Sequence, residues 1–264
     1  MAAVGSYLEA RSNGGKWLLR IEDIDPPREV AGSAASIIDD LQRLGLVHDG
    51  PILYQSSRRP AYELIIDQLM AKGLAYGCAC TRKDLPTRGI YPGTCRKGIA
   101  NGKKPRSIRF CVEGFTPEFS DGLQGRMIDD PAMSSGDFVI RRADGLVAYQ
   151  LAVVVDDNYQ GVTHVVRGAD LLDSTSRQIC LQKALGFTTP DYMHLPVART
   201  ADGKKLSKQL LADPVKHQDP AYAVEQALAF LGQDPPTGLS LGSLWDWAFS
   251  HWSSGLIARH TAIL

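Results

Sequence analysis

Residues 194–209, HLPVARTADGKKLSKQ, carry the pattern that decides the fold. A strand is predicted over DYMHLPVART, and it leads into a loop in which Lys204, Lys205 and Lys208 follow a glycine. Ammonium groups gathered in this way can bind a chain of phosphates. Lysines in an exposed turn are also commonly just solvated. No Walker-type G-x-x-x-x-G-K-[ST] motif occurs in the chain. Phosphate binding and a solvated turn therefore both remain open for this loop.

A second cluster, RIEDIDPPRE at residues 20–29, places four carboxylates within eight residues. It follows KWLLRIEDID, whose apolar start predicts a buried strand with carboxylates emerging at its end. Such a cluster is compatible with a divalent-metal site, a solvated acidic loop or a pocket for an amine. The cluster alone does not choose among the three.

Three of the five cysteines fall within 18 residues, at Cys78, Cys80 and Cys95. Zinc prefers four ligands in a tetrahedron, and thiolates select it well. The C-x-C spacing is less common than C-x-x-C, so reduced cysteines packed as small apolar side chains are the alternative. Cys111 and Cys180 fall inside a predicted strand and a predicted helix, and both are interpreted as core residues.

Apolar periodicity predicts an α/β chain, because strands alternate with helices of ordinary length. A small insert of irregular composition is predicted over residues 77–112. Ser33 is a candidate N-cap, and a hairpin is expected around Asp144-Gly145. The predicted helices cover residues 2–11, 33–46, 58–76, 172–186, 221–232 and 243–252, and further strands cover residues 106–112 and 136–150.

Together these motifs resemble the class I aminoacyl-tRNA synthetases of glutamyl type. KLSKQ resembles their KMSKS-type loop, and DIDPPRE resembles the spelling in the shortened glutamyl-Q tRNA(Asp) synthetases. The strings LVAYQLAVVVDD and VVRGADLL are similar to that group as well. The resemblance runs from about residue 2 to residue 232, with the motifs in the family's order. The last 30 or so residues match nothing assignable, and no large anticodon-reading domain follows, which favours the glutamyl-Q group.

The resemblance implies a Rossmann-type class I catalytic domain with a small zinc-binding insert and a short helical C-terminal tail. The first part of the nucleotide-binding domain is expected at residues 1–76, and an inserted zinc-binding, acceptor-type subdomain at 77–135. The second catalytic part, with the KLSKQ loop, is expected at 136–212, and the helical tail at 213–264.

The activity implied by the resemblance is ATP-dependent formation of glutamyl-adenylate, with Mg²⁺ accompanying ATP. The glutamate would then pass to queuosine in the anticodon of tRNA(Asp), a tRNA modification. The loop would close over ATP, with Lys208 stabilising charge on the phosphates and Lys205 as the lesser catalytic candidate.

The resemblance also assigns glutamate-binding roles. Glu22 would bind the α-ammonium group, and a carboxylate is the expected partner for an ammonium. Tyr149 and Arg167 would bind the rest of the glutamate, and a guanidinium suits a carboxylate. Without the resemblance, these two are an unremarkable strand-end tyrosine and an arginine before a glycine.

For the cysteine-rich insert, the resemblance implies one structural zinc ion per chain. Its ligands would be Cys78, Cys80, Tyr91 and Cys95. A closed site of this kind would stabilise an insert too small to form its own core.

The start of the chain differs from the family pattern. There the helix AAVGSYLEAR follows a strand and a HIGH-type motif, whereas here it follows Met1. No histidine precedes His48 to substitute. A start codon placed too late, a gene fragment or a decayed enzyme would explain this. The chain as written is expected to be marginally stable and inactive or nearly so, because half of the phosphate clamp would be missing.

Bulk composition gives a formal net charge of zero, from 29 basic and 29 acidic residues, so no strongly basic footprint covers the chain. No apolar run or leader suggests a membrane or secretion, and an odd cysteine count fits a reducing compartment. We expect a cytoplasmic monomer. Four basic residues are close in sequence, namely Lys97, Lys103, Lys104 and Arg106. They predict either a surface that contacts tRNA or a solvated basic loop.

Two other functions remain compatible with the sequence. A fragment of an ordinary glutamyl-tRNA synthetase would charge the 3′ end of tRNA(Glu). A non-catalytic module would bind tRNA or glutamate and be indifferent to ATP.

Overall fold

The computed structural model describes residues 1–85, 90–100, 102–198 and 215–259. Eight α-helices and nine strands are present in those ranges. The helices are α1 Ala2–Ser12, α2 Ser33–Arg43, α3 Arg59–Ala71, α4 Pro131–Ser134, α5 Tyr149–Gln160, α6 Leu172–Leu185, α7 Pro220–Phe230 and α8 Leu241–His251. The strands are β1 Arg20–Ile21, β2 Leu53–Tyr54, β3 Ala75–Cys78, β4 Ser107–Phe110, β5 Glu118–Asp121, β6 Gly125–Ile128, β7 Phe138–Arg141, β8 His164–Gly168 and β9 Asp191–Leu195.

The strands form three small sheets. β1 and β2 are parallel, and β3, β4 and β7 form an antiparallel sheet in that order. The third sheet has the order β6-β5-β9-β8, in which β9 is parallel to both of its neighbours. Because α6 connects the parallel strands β8 and β9, the predicted α/β class is confirmed.

A cleft of about 950 Å³ lies between β1 and β8, and residues 16–20 and 162–166 line its opposite walls. Both strands are at the edge of their sheets. The prediction of a long buried strand over KWLLRIEDID is therefore wrong. Only Arg20–Ile21 pair as a strand, and Leu18 is 36% exposed, because β2 covers one edge of this segment while the other edge faces the cleft.

Two apolar cores hold the elements together. One joins α3, α5 and α6 to β4 and β7, and includes the fully buried Tyr62 and Phe110. The other joins α1 to the C-terminal helices α7 and α8. There Tyr7 packs edge-on against Trp245 with 5.3 Å between ring centroids. The helical tail thus packs directly on the first helix of the chain.

Most predicted helices are confirmed, since α1, α3, α6, α7 and α8 lie within a few residues of their predicted bounds. Gly186 ends α6 in the left-handed conformation, as its position predicted. Ser33 is not the N-cap of α2. Gly32 takes that place with φ +79°, a backbone conformation that glycine adopts without steric cost.

Three further predictions concern residues discussed below. The hairpin turn around Asp144-Gly145 is present, but Tyr149 is the first residue of α5 and not the end of a strand. Cys180 is fully buried in α6, as predicted. Cys111 follows the end of β4 and is only half-buried, because its backbone pairs with Leu74 beyond the strand. Within the described ranges, no helix is both long enough and apolar enough to cross a bilayer.

Candidate functional site

Three sequence-predicted residues meet beside the cleft, each supplied by a different element. Glu22 follows β1, Tyr149 begins α5 and Arg167 lies on β8. Glu22 is close enough to Arg167 for a direct electrostatic effect, and Tyr149 is influenced by both. The structure therefore brings these three side chains within electrostatic range of one another, as a candidate pocket with one acidic and one basic group.

Glu22 lies at the surface of the molecule with protein densely packed nearby. Its side chain is 41% accessible, yet the dense protein around it removes much of the bulk solvent. This desolvation raises the pKa of Glu22 above its ordinary 4.5. Arg20, with Nε at 3.7 Å from Glu22 Oε1, opposes the shift without cancelling it. A cation that binds beside Glu22 would therefore stabilise the ionised form of its carboxylate.

Arg20 itself anchors the base of the pocket. Its Nη1 donates to Gln160 Oε1 at 2.8 Å, and its Nη2 donates to Asp157 Oδ1 at 2.8 Å. Both partners lie on α5, so the contacts connect β1 to that helix. No local sequence pattern indicates this network, since only the three-dimensional fold joins residues so distant in sequence.

Tyr149 lies beside Gln178 of α6. Burial raises the pKa of Tyr149, and the nearby Glu22 carboxylate raises it further. Gln178 is 2% exposed, and its Nε2 has no hydrogen-bond partner among the described residues. A buried polar group without a partner is uncommon in proteins. The pocket thus keeps polar hydrogen-bonding capacity beside the tyrosine.

Arg167 is held from behind. Its Nε donates to His194 Nε2 at 3.1 Å, and its Nη2 donates to Thr175 Oγ1 at 2.9 Å. The guanidinium carbon also lies 5.5 Å from the centre of the Tyr192 ring. These contacts fix an arginine next to the cleft, and the motif analysis of the sequence found none of them.

A separate cluster brings Cys78, Cys80, Cys95 and Tyr91 together in the insert. The three sulfur atoms lie within 4.8 Å of one another, and Cys80 Sγ is 3.6 Å from Cys95 Sγ. Tyr91 Oη is 3.4 Å from Cys78 Sγ and 3.5 Å from Cys80 Sγ. All four side chains are buried or half-buried. The four residues named by the sequence are thus neighbours in space.

The spacing of these atoms fits a tetrahedral metal ion. Bonds of about 2.3 Å to sulfur and about 2.0 Å to oxygen would place sulfur atoms about 3.8 Å apart and oxygen about 3.5 Å from sulfur. The distances between Cys80 and Cys95 and from Tyr91 to Cys78 match these values closely. The three cysteines can therefore hold a metal ion with little rearrangement.

Arg109 supports the cluster from outside. Its Nε donates to Cys78 Sγ at 3.4 Å, and its guanidinium carbon lies 3.9 Å from the centre of the Tyr91 ring. Burial alone would raise the pKa of Cys78, but the hydrogen bonds from Tyr91 and Arg109 outweigh it, and the pKa falls to about 7. Cys78 is thus readily available as a thiolate, the form that binds metals.

The predicted phosphate-binding lysines fall outside the part of the chain that the structure describes. Lys204, Lys205 and Lys208 lie in residues 199–214, outside the described ranges.

Comparisons with known proteins identify the family of this chain. Residues 1–230 match the family model of tRNA synthetases class I (E and Q), catalytic domain. The chain belongs to this family. Its α/β fold is that of a class I tRNA synthetase catalytic domain, in a family of ligases.

This chain covers most of the length of two curated relatives. The chain is 51% identical to a glutamyl-Q tRNA(Asp) synthetase of Chromobacterium violaceum, covering 95% of this chain and 87% of the relative. It is 48% identical to that of Dechloromonas aromatica, covering 100% and 92%. The resemblance to the glutamyl-Q group read from the motifs is therefore confirmed.

Solved structures in the family are longer. A glutamate tRNA ligase from Elizabethkingia meningosepticum superimposes with a TM-score of 0.81 at 25% identity, covering 99% of this chain and 63% of the ligase. The glutamate-tRNA synthetase of Elizabethkingia anophelis gives 0.82 at 25%, covering 100% and 64%. This chain thus spans slightly less than two thirds of those two proteins.

Proposed function

We propose that this protein activates glutamate with ATP and transfers it to queuosine in the anticodon of tRNA(Asp). The observation that carries the proposal is the proximity of Glu22, Tyr149 and Arg167, each of which is within electrostatic range of the others. A neighbouring acidic and basic group complement an amino acid that carries an ammonium at one end and a carboxylate at the other. Relatives 51% and 48% identical bear the name of this activity.

In the bound state Glu22 accepts hydrogen bonds from the α-ammonium group. Arg167 binds the side-chain carboxylate through two N–H groups, an arrangement that lysine cannot reproduce. Tyr149, which is influenced by both groups, contributes its ring and its hydroxyl.

The first step forms the mixed anhydride. An α-carboxylate oxygen of glutamate attacks the α-phosphorus of ATP, and the bond to pyrophosphate breaks. Lys208, with Lys205 as the lesser candidate, stabilises the negative charge that moves onto the phosphates. Mg²⁺ enters bound to ATP and shares that task.

The second step transfers the glutamyl group. A hydroxyl oxygen of the queuosine cyclopentene ring attacks the activated carbonyl carbon and gives up its proton, and AMP leaves. The product is an ester between glutamate and the modified base.

The insert has a structural role in this proposal. Cys78, Cys80, Cys95 and Tyr91 hold one zinc ion, because three thiols and a phenol at tetrahedral spacing suit that metal. Bound zinc cross-links the segments on both sides of Tyr91 and keeps the insert folded. The ion takes no part in the chemistry.

A basic surface of the insert is the proposed RNA contact. Lys97, Lys103, Lys104 and Arg106 are all exposed. The pKa of Asp84 lies below its usual range, mainly through hydrogen bonds from Thr81 and further through the charges of Lys103 and Arg106. Cations clustered in this way attract a phosphate backbone. We further propose that the protein acts as a monomer in the cytoplasm, where tRNA and ATP are available.

The alternative is charging of tRNA(Glu) at its 3′ end, as the structural likeness to two glutamate ligases would suggest. Labelled glutamate offered with ATP to three purified tRNAs separates the two. We expect label on queuosine-containing tRNA(Asp) and none on tRNA(Asp) lacking queuosine or on tRNA(Glu). Label on tRNA(Glu) alone would replace the proposal with the alternative. If glutamate or RNA binds with an affinity that does not depend on ATP, and no glutamate is transferred, the protein is a non-catalytic module.

A further inference from the structure

Arg167 is the half-buried end of a hydrogen-bonded chain that starts at a fully buried carboxylate. The chain runs from Asp121 on β5 through His194 on β9 to Arg167 on β8. Arg167 and His194 are direct Cα partners in the parallel β8–β9 pair. Two neighbouring strands therefore place both side chains on one face of the sheet.

Asp121 is a fully satisfied anion at the base of this chain. Its side chain has no solvent exposure. Oδ1 accepts from the backbone amides of Leu123, Gln124 and His194 at 3.0, 2.9 and 3.2 Å, and Oδ2 faces His194 Nδ1 at 2.5 Å. Burial acts to raise the pKa of Asp121, but these hydrogen bonds hold it below its usual range. The carboxylate is thus a fixed acceptor.

The Asp121 carboxylate sets the tautomer of His194. Since Oδ2 can only accept, Nδ1 must carry the proton, and Nε2 is left with a lone pair. That lone pair faces Arg167 Nε at 3.1 Å, and Thr175 Oγ1 lies 3.2 Å from it. A proton on Nε2 would instead point at the N–H of the arginine. The arrangement is consistent only with an accepting Nε2.

The same contacts decide which edge of the guanidinium is free. Nε is used by His194, while Nη2 donates to Thr175 Oγ1 at 2.9 Å and approaches Leu171 O at 3.4 Å. Nη1 makes no hydrogen bond within the described part of the chain. A carboxylate can therefore approach only at the end of the guanidinium, where the N–H groups of Nη1 remain available.

We propose that Asp121 and His194 are positioning residues that hold Arg167 for the side-chain carboxylate of glutamate. This inference rests on the role of Arg167 in the proposed function. Neither residue touches the ligand. Their effect is to remove the side-on mode of binding and the rotational freedom of the arginine, which lowers the entropic cost of gripping the carboxylate.

Two substitutions of His194 separate positioning from packing. In His194→Gln the side-chain oxygen can reach the place of Nε2 and accept from Arg167. In His194→Asn the amide nitrogen can take the place of Nδ1 and donate to Asp121, but nothing reaches Arg167. We expect glutamate affinity to fall about tenfold in the Asn variant and to be largely retained in the Gln variant. His251→Asn, on the exposed end of α8, is the matched control.

Asp121→Asn tests the tautomer directly. Its amide N–H would face Nδ1 and move the proton of His194 to Nε2, against the N–H of Arg167. Nitrogen-15 NMR of labelled histidine reports which ring nitrogen is protonated. We expect a proton on Nδ1 in the unmodified protein and on Nε2 in the variant, with affinity again reduced about tenfold.

The measurement is calorimetric titration with glutamate of the protein expressed from its own gene, with a thermal midpoint for each variant. No glutamate binding by the unmodified protein would refute the proposed function itself. If that protein binds glutamate, equal affinity of the Asn variant at position 194 would refute the positioning role alone. A proton on Nε2 in the unmodified protein would do the same, even if no variant folds.

Discussion

Arg20 Nη2 donates to Asp157 Oδ1 at 2.8 Å and joins β1 to α5 beside the candidate pocket. The two side chains are only 15% and 12% accessible. Burial of an ion pair costs free energy, and the attraction within the pair offsets that cost only while both partners are present. This contact is therefore sensitive to the loss of one partner.

We expect Asp157→Ala to lower the free energy of unfolding by about 2 kcal/mol, because Arg20 would lose its main anionic partner while remaining mostly buried. Glu118→Gln is the matched control. It breaks an ion pair with Arg126 whose side chains are 52% and 69% accessible, so a much smaller loss of stability is expected, because solvent screens an exposed pair. Urea denaturation measures both, and equal losses would contradict the account.

Glutamate affinity should depend on the ionisation of Glu22. Desolvation first, and then the charges of Asp157 and Asp156, raise the pKa of Glu22 above its ordinary 4.5, while Arg20 and Arg167 act against the shift. Only the ionised form binds the α-ammonium group, so affinity should fall as the pH is lowered through this raised pKa. Titration calorimetry between about pH 5 and 8 measures the dependence.

The same shift has a consequence for stability. Since the folded state binds the proton of Glu22 more tightly than the unfolded state, stability should decrease as the pH rises from 4.5 through the raised pKa. Glu22→Gln should remove both this slope and the pH dependence of binding. A Gln variant that binds glutamate with an unchanged pH profile would show that Glu22 does not bind the ammonium.

Replacement of Arg167 by lysine should weaken glutamate binding by about 10- to 100-fold, because one ammonium cannot make the paired N–H contacts and also keep those to His194 and Thr175. Arg126→Lys, on the exposed strand β6, is the control and should bind normally. Comparable affinity of the two variants would argue against a role for Arg167 in the pocket.

Zinc content should depend on the cysteines of the cluster and not on the cysteines outside it. We expect one zinc per chain by elemental analysis, lost in Cys80→Ser and retained in Cys111→Ser, which lies outside the cluster. Tyr91→Phe should retain zinc with lower affinity, since water can replace one ligand. Chelation should lower the thermal midpoint if the ion is structural. Full zinc in the Cys80 variant would contradict the assignment.

Local sequence patterns predicted much of this molecule because the interactions behind them are local. Apolar periodicity placed the helices, and Gly186 marked a helix end through its backbone freedom alone. Cys78, Cys80 and Cys95 lie within only 18 residues, so their clustering was visible in the chain, whereas Tyr91 was indicated only by the resemblance to the family.

Contacts between distant segments were not predictable in this way. Asp121 and His194 are separated by 73 positions, and Arg20 and Asp157 by 137. Nothing near either residue in sequence indicates its partner, because the pairing depends on how β5, β9, β1 and α5 pack. The same limit explains the strand at residues 16–25. Its apolar pattern predicted burial, whereas burial depends on what covers each edge.

Transfer of glutamate to tRNA(Asp) that lacks its terminal 3′ adenosine tests the central claim most directly. The protein expressed from its own gene would be incubated with ATP, labelled glutamate and this shortened tRNA, prepared with and without queuosine. The account predicts label on the queuosine-containing tRNA, released together with the anticodon nucleoside on digestion. Absence of label on the shortened queuosine-containing tRNA, with label on a parallel sample of tRNA that keeps its 3′ adenosine, would contradict it.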